Sequence, residues 1–249
     1  MTTHVLWAEV FEGFPKPTLT HESAGQLLAL VERARNERPK VLVLTGGASG
    51  WCVGGDIAAF GGATDRAGYI DRLATQLHEA VAGLQELDAV VISVVDGVAA
   101  GAGMPLAFAG DIVLASTRAR FTLGYTKLGL TPDGGTTLLT SSLGMHRALY
   151  AALVNPVIDA ETARQQGLVA EVLESEALLP RAEQLASLLA AGSASALAET
   201  KRLVRHQAQP QARTALDLEQ ASLVKAAGSS DAAEGIRAFL EKRPASFPG

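Results

Sequence analysis

The 249-residue sequence predicts an α/β fold, because short apolar runs alternate with a long amphipathic segment. Residues 41–45, 90–95 and 111–115 are rich in β-branched side chains and too short for helices, so we predict three buried strands. Between the first two runs, apolar residues recur at helical spacing: Ile70, Leu73, Leu77, Val81 and Leu84. A strand, a long crossover helix and another strand favour parallel pairing of the two strands.

The carboxyl-terminal part of the chain differs, since strand patterns fade from about Asp159 onward. We predict helices at residues 195–207, 212–227 and 231–242, with Asp231 as the cap of the last. A boundary near Ala190 would divide the chain into a core of residues 1–190 and a helical region of residues 191–249. Such a region is expected to cover a site or to form a subunit contact.

Composition excludes several functional classes. Hydrophobic residues make up 48% and charged residues 19%, which is typical of a folded globular chain. The net charge of -5 and pI near 5.6 argue against a nucleic-acid surface. A single cysteine, Cys52, excludes an intrachain disulfide and fits a reducing, cytoplasmic compartment. Neither an export signal nor a membrane span is expected, because no apolar stretch approaches the roughly 20 residues that a span needs.

Two glycine-rich segments follow the first two predicted strands. They are Trp51–Ile57 and Gly97–Gly103. Glycine lets the backbone approach a ligand closely, and unpaired N–H groups in such turns can bind a negatively charged oxygen. The same glycines could equally serve tight turns and close packing. The two interpretations stay open on the residues alone.

Motifs for other chemistries are missing from the sequence. Gly97, Gly101 and Gly103 do not have dinucleotide-binding spacing, and no Gly-Lys-Ser/Thr follows a glycine loop. The histidines lack the spacing and the nearby carboxylates of a metal site, so no metal is expected and they are interpreted as surface or core residues. They are His4, His21, His78, His146 and His206.

Four segments, taken in order, resemble the crotonase (enoyl-CoA hydratase/isomerase) family in residue type and spacing. They are residues 51–57, 97–103, 128–135 and 239–244. The region from Gly97 to Gly135 looks closest to the 1,2-epoxyphenylacetyl-CoA isomerase branch. The resemblance implies a spiral of ββα units with a C-terminal helical region, assembled as a trimer or as a hexamer of two trimers. It also implies an acyl-CoA substrate, with coenzyme A belonging to the substrate and no separate cofactor.

The resemblance assigns catalytic roles to three positions. The backbone N–H groups of Gly55 and Ala102 are expected to form an oxyanion hole for the thioester carbonyl. The two glutamates that a hydratase of this family uses are replaced by Pro105 and Tyr125, which cannot act as carboxylate acids or bases. Asp133 lies at a third position that isomerases of the family use. An acyl-CoA isomerase with Asp133 as its single base is therefore the leading hypothesis.

The same resemblance implies a set of substrate contacts around these positions. The expected contacts are Val53, Asp56, Ile57, Gly101, Pro105, Tyr125, Leu130, Phe239 and Lys242. Three alternatives remain: another crotonase reaction such as hydration or nucleophilic displacement, a non-catalytic acyl-CoA or acyl-carrier binding module, and a component of a multienzyme assembly. On the residues alone, Pro132-Asp133-Gly134-Gly135 could also be a turn whose aspartate caps the next helix.

Overall fold

The computed structural model describes residues 4–47 and 50–247, which form a mixed α/β structure with a predominantly parallel sheet. A five-stranded sheet has the order β1-β2-β3-β5-β8 with every pair parallel, and a small second sheet has the order β4-β6-β7. The strands are β1 (Val5–Glu9), β2 (Val41–Thr45), β3 (Val90–Val95), β4 (Val98–Ala100), β5 (Ile112–Ser116), β6 (Arg120–Thr122), β7 (Ile158–Asp159) and β8 (Glu171–Leu173).

Helices cover both faces of the large sheet and make up the carboxyl-terminal region. They are α1 (His21–Glu37), α2 (Ile57–Gly62), α3 (Arg66–Glu86), α4 (Gly103–Phe108), α5 (Thr140–Leu143), α6 (Met145–Val154), α7 (Ala160–Gln165), α8 (Ser175–Ala191), α9 (Ala194–Ala208), α10 (Ala212–Ala227) and α11 (Ser230–Leu240), with 3-10 turns at Tyr125–Leu128 and Thr137–Leu139. In the described ranges, no helix is both long and apolar enough to cross a membrane.

The predicted strands are confirmed. The first two have the predicted bounds, and the third is displaced by one residue to Ile112–Ser116. Parallel pairing is confirmed as well, with Val41 opposite Val90 and Ile92 opposite Ile112. These strands are mostly apolar because α8 covers one face of the sheet while the larger core covers the other. Their carboxyl ends all lie at one edge, where the two glycine-rich segments begin.

Helix α3 forms the predicted crossover and brings one unexpected polar group into the interior. Its apolar positions at the predicted helical spacing are buried. His78, the residue after Leu77 in the helix, is buried as well. Asp65 begins the helix by accepting a hydrogen bond from the backbone N–H of Gly68. The helix packs against α1 and α10, and His78 lies close enough to α10 for the charge of Glu219 to act on its imidazole.

The carboxyl-terminal helices are found close to their predicted bounds, with two corrections. The cap of α11 is Ser229, whose side chain accepts from the N–H of Ala232, and not Asp231. Ser229 has the extended backbone that a cap needs, whereas Asp231 lies in the first turn, where its charge favours the helix dipole. The second correction is β8, which the sequence did not predict because three half-buried residues carry little pattern. The division near residue 190 stays a prediction.

Candidate active site

A cavity of about 560 Å³ lies beside the carboxyl ends of β2 and β3. Helices α2 and α3, the 3-10 turn at Tyr125–Leu128, and helices α10 and α11 enclose it. Most of its lining is apolar, with major contributions from Phe60, Ile70, Leu73, Leu77, Leu130 and Leu223. Three charged side chains also line it: Asp133 is buried, whereas Lys127 and Arg243 are exposed at the opening. The interior therefore suits an uncharged, apolar group.

One wall of the cavity is built from backbone, where the two glycine-rich segments meet. The N–H of Cys52 donates to the carbonyl of Val98 at 3.0 Å, and that of Ala100 donates to the carbonyl of Cys52 at 2.8 Å. Gly54 has φ 91° and approaches so closely that a Cβ there would lie 3.0 Å from the Ala100 oxygen. A Cβ on Gly103 would lie only 2.4 Å from the carbonyl oxygen of Cys52. Close packing thus requires these glycines.

The same wall carries two N–H groups with no hydrogen-bond acceptor among the described residues. They belong to Gly55 and Ala102, and both residues line the cavity. Since most N–H groups in protein interiors are paired, two unpaired donors on one cavity wall are available to donate to an anionic oxygen of a ligand. The packing interpretation and the binding interpretation of the glycine loops are therefore compatible.

A second wall carries Asp133, which is 3% exposed. Its Oδ1 lies 2.7 Å from Nε2 of His78, and the hydrogen bonds among the described residues involve Oδ1 but not Oδ2. Its backbone carbonyl accepts from Tyr125 Oη at 3.2 Å and from Thr136 Oγ1 at 2.9 Å. The carboxylate does not cap the next helix, because it faces His78. Residues 132–135 do form the turn that their sequence suggests, since Gly134 and Gly135 have the positive φ angles of 75° and 98°, but the Asp133 side chain is not a helix cap.

The turn that carries Asp133 is held by Glu219 of α10. This buried carboxylate accepts from the N–H of Gly135 at 2.8 Å, from the N–H of Thr137 at 2.6 Å, and from the Thr137 hydroxyl. Burial raises the pKa of Glu219, and its hydrogen bonds to Thr137 and Gly135 oppose that rise. The cap that the turn needs therefore comes from a helix that is distant in sequence.

His78 lies between these two carboxylates. Burial lowers the pKa of its imidazole, but the hydrogen bond to Asp133 and the charges of Asp133, Glu219 and Asp217 outweigh burial, so the pKa is raised. The interpretation of His78 as a histidine without carboxylate partners was wrong. Its partner Asp133 lies 55 residues away along the chain, beyond the reach of any spacing rule.

The cluster of His78, Asp133 and Glu219 also has the composition of a metal site, since one ligand atom from each lies within 4.8 Å of the others. The hydrogen bonds argue for another role. Both Glu219 oxygens accept from the 135–137 backbone or the Thr137 hydroxyl, and Asp133 Oδ1 is engaged by His78. The arrangement is that of a hydrogen-bonded acid–imidazole pair supported by a second carboxylate.

Most of the expected site residues line this cavity. These are Val53, Gly55, Ile57, Gly101, Ala102, Tyr125, Leu130, Asp133 and Phe239. Asp56, Pro105 and Lys242 do not line it. Asp56 caps α2 by accepting from the N–H groups of Ala58 and Ala59, Pro105 is buried in α4, and Lys242 is exposed just beyond α11. Sequence reasoning missed His78 and Glu219.

The opening of the cavity is bordered by the end of the described chain. Pro244, Ala245 and Phe247 line it after the end of α11. Glu234 of α11 fixes this segment by accepting from Arg243 Nη1 at 2.6 Å and from the N–H of Ser246 at 3.1 Å. The carboxyl-terminal segment therefore folds back over the cavity and is held there by α11.

Comparisons with known proteins agree with this architecture. Residues 14–249 match the family model described as Enoyl-CoA hydratase/isomerase. The chain is 37% identical over 235 residues to the 1,2-epoxyphenylacetyl-CoA isomerase of Escherichia coli strain K12, covering 92% of this chain and 88% of that protein. It is 32% identical over 259 residues to a probable enoyl-CoA hydratase of Rhodobacter capsulatus, covering 100% of both.

A solved enoyl-CoA hydratase from Mycobacterium avium subsp. paratuberculosis K-10 superposes with a TM-score of 0.88 at 28% identity, covering 99% of this chain and 96% of that one. A parallel sheet whose strand ends feed two glycine loops, closed by carboxyl-terminal helices, is the crotonase fold. The chain belongs to the enoyl-CoA hydratase/isomerase family.

Proposed function

We propose that this protein is an acyl-CoA isomerase that uses Asp133 as its single base. The observation that carries the proposal is that one buried carboxylate and two N–H groups without an acceptor among the described residues line the same apolar cavity. The positions at which a hydratase would have its two glutamates hold Pro105, which does not line the cavity, and Tyr125, whose hydroxyl donates to the backbone carbonyl of Asp133. A second carboxylate to activate water is thus missing from the lining among the described residues.

The proposed reaction is a proton transfer between two carbons of the acyl group. The thioester oxygen accepts from the N–H groups of Gly55 and Ala102, and Asp133 Oδ2 removes a proton from the acyl chain. Negative charge then develops on the thioester oxygen, where each such donor is typically worth about 3 to 4 kcal/mol of barrier. Asp133 returns the proton to the other end of the conjugated system, which shifts the double bond without net consumption of water.

The lining supports an uncharged acyl group as substrate. Among the described residues, Asp133 is the only buried charged side chain of the cavity, so a second carboxylate deep inside it would be repelled and would find no buried cation there. Lys127, at the opening, is placed to meet the phosphates of coenzyme A. A straight 3-enoyl chain and an aromatic ring epoxide are both uncharged acyl groups and therefore both suit this lining.

The test is turnover of a 3-enoyl-CoA and of 1,2-epoxyphenylacetyl-CoA in deuterated water, with Asp133→Asn as the variant. Wild-type protein is expected to form the 2-enoyl or ring-expanded ester. The variant should lose about 10³-fold or more in kcat, since amides cannot accept the proton. Asp56→Asn is the matched control, because that carboxylate caps α2 outside the cavity. Formation of a 3-hydroxyacyl ester from a 2-enoyl-CoA at a comparable rate would contradict the proposal and favour hydration.

We also propose self-association through α6. Only Ala151 is buried among its residues, and its exposed apolar side chains recur on one side of the helix. They are Met145, Leu149, Tyr150, Leu153 and Val154, continued by Val157. A trimer or hexamer that buries this face should be visible by light scattering. Leu149→Glu with Leu153→Glu should shift the mass toward the monomer, whereas a monomeric wild-type protein would contradict the proposal.

A further inference from the structure

One ring nitrogen of His78, Nε2, makes all of the polar contacts of this side chain with the described residues. Nε2 lies 2.7 Å from Asp133 Oδ1, and the backbone N–H of Gly134 points at the same Nε2 from 3.3 Å. Nδ1 is buried with no hydrogen-bond partner among the described residues. The imidazole of His78 is therefore fixed by its contact with Asp133 and by the packing of α3.

The contacts select a tautomer. A proton on Nδ1 would be a buried donor without an acceptor among the described residues, which is unfavourable. A proton on Nε2 instead donates to Asp133 Oδ1 and leaves Nδ1 as an unprotonated nitrogen. The shorter contact, to Asp133, therefore favours Nε2–H in the neutral imidazole, and the longer contact from the Gly134 N–H is then not a hydrogen bond.

This assignment divides the work of the Asp133 carboxylate between its two oxygens. Oδ1 is occupied by His78, whereas Oδ2 has no hydrogen bond to a described residue and the side chain lines the cavity. A carboxylate pinned at one oxygen cannot rotate away from the substrate when the acyl group enters. Fixed geometry of this kind is worth a substantial part of the rate of a proton transfer.

We propose that His78 is the positioning residue of the site, whose Nε2–H aims the Asp133 carboxylate at the acyl group. The inference rests on the proposed function of Asp133 and adds a residue to it. His78 does not touch the substrate, since it is absent from the described cavity lining. It acts through Asp133, whereas Glu219 holds the backbone of the same turn and not the carboxylate.

The pair has a distinct pH dependence. The charged groups that raise the pKa of His78 are Asp133 on the turn, and Glu219 and Asp217 on α10. These carboxylates favour the imidazolium. As the pH falls through the raised pKa of His78, an imidazolium forms, and its charge holds the Asp133 carboxylate more tightly than the neutral imidazole does. Activity should therefore fall on the acid side together with protonation of His78.

Two variants test the positioning role. His78→Gln keeps an N–H donor near the position of Nε2, and His78→Leu removes it. We expect His78→Leu to lower kcat by about 10- to 100-fold with KM within about 3-fold, and His78→Gln to recover most of the loss. In His78→Gln the acid limb of kcat should move to lower pH, because no imidazolium can form. A merely structural role for His78 would not move that limb.

An NMR titration keeps the inference testable when His78→Leu fails to fold. The imidazole of His78 should titrate at higher pH in wild-type protein than in Asp133→Asn, since the variant loses the carboxylate. Equal titration in both proteins, or an unchanged acid limb in His78→Gln, would overturn the positioning role alone. Full turnover by Asp133→Asn would instead overturn the proposed function, so the two failures can be told apart.

Discussion

The two walls of the cavity are built by opposite means. The wall of Gly55 and Ala102 is made of backbone, supplied by two loops that pair directly through Cys52 and Ala100. The wall of Asp133 is made of side chains, supplied by α3, a turn and α10. Among the described residues, the first wall has no titratable side chain in the cavity lining, whereas the second brings together His78, Asp133 and Glu219, of which Asp133 lines the cavity. Under the proposed function, the groups that bind developing charge are separate from the group that moves protons.

The comparison also predicts how each wall fails. A backbone donor cannot be deleted by truncating a side chain, so the first wall is sensitive to added atoms. The second wall is sensitive to removed atoms, because a buried polar group that loses its partner keeps its desolvation cost. The predictions below test this difference, in order of expected size.

Gly103→Ala should have the largest effect on stability. Its Cβ would lie 2.4 Å from a backbone oxygen of Cys52, which cannot move without separating the two loops. We expect a loss of about 2 to 3 kcal/mol in the free energy of unfolding, measured by denaturant titration. Gly62→Ala is the control, since a Cβ there meets nothing within 4 Å. Equal stability of the two variants would show that the loops are more pliable than their contacts indicate.

Glu219→Ala should have the next largest effect. It leaves the N–H groups of Gly135 and Thr137 without their acceptor, at a cost of about 1 to 3 kcal/mol. Because the same turn carries Asp133, kcat should fall as well, while the affinity for an acyl-CoA ester stays close to that of wild type. Glu183→Ala, on an exposed position of α8, is the control. A variant with full stability would mean that water replaces the carboxylate.

The smallest effect is expected in the pH dependence of stability. The folded-state pKa of His78 is raised, so its contribution is fully present below the pKa of the unfolded chain and is lost as the pH rises through the folded-state pKa. The difference in unfolding free energy between wild type and His78→Gln should therefore shrink from pH 6 to pH 9. A difference that grows over this range would contradict the ion pair with Asp133.

Sequence patterns predicted the first wall better than the second, for a physical reason. Strands β2 and β3 are continuous apolar runs, and the glycines after them are neighbours in sequence as well as in space. Asp133 was selected only through the resemblance, since on its own it is one aspartate in a turn. Local patterns could not reveal its partner, because His78 sits on the buried face of α3 and meets Asp133 only after α3 and the turn pack together.

Glu219 was missed for the same reason, with an added difficulty. Its helix, α10, was predicted with the observed bounds, yet nothing in a helical pattern marks one glutamate among several as buried. A buried carboxylate is revealed only by the backbone N–H groups that it satisfies, and those belong to residues 135–137. Helix propensity and periodicity describe an element, whereas this site depends on which elements meet.

The folded-back segment of Pro244, Ala245 and Phe247 has a practical consequence for handling the protein. A purification tag fused on the carboxyl side of this segment follows residues that border the opening of the cavity. Such a fusion could lower apparent substrate affinity without altering any residue of the site. Assays of Asp133 and His78 variants are therefore best made with the tag on the amino end, or with it cleaved.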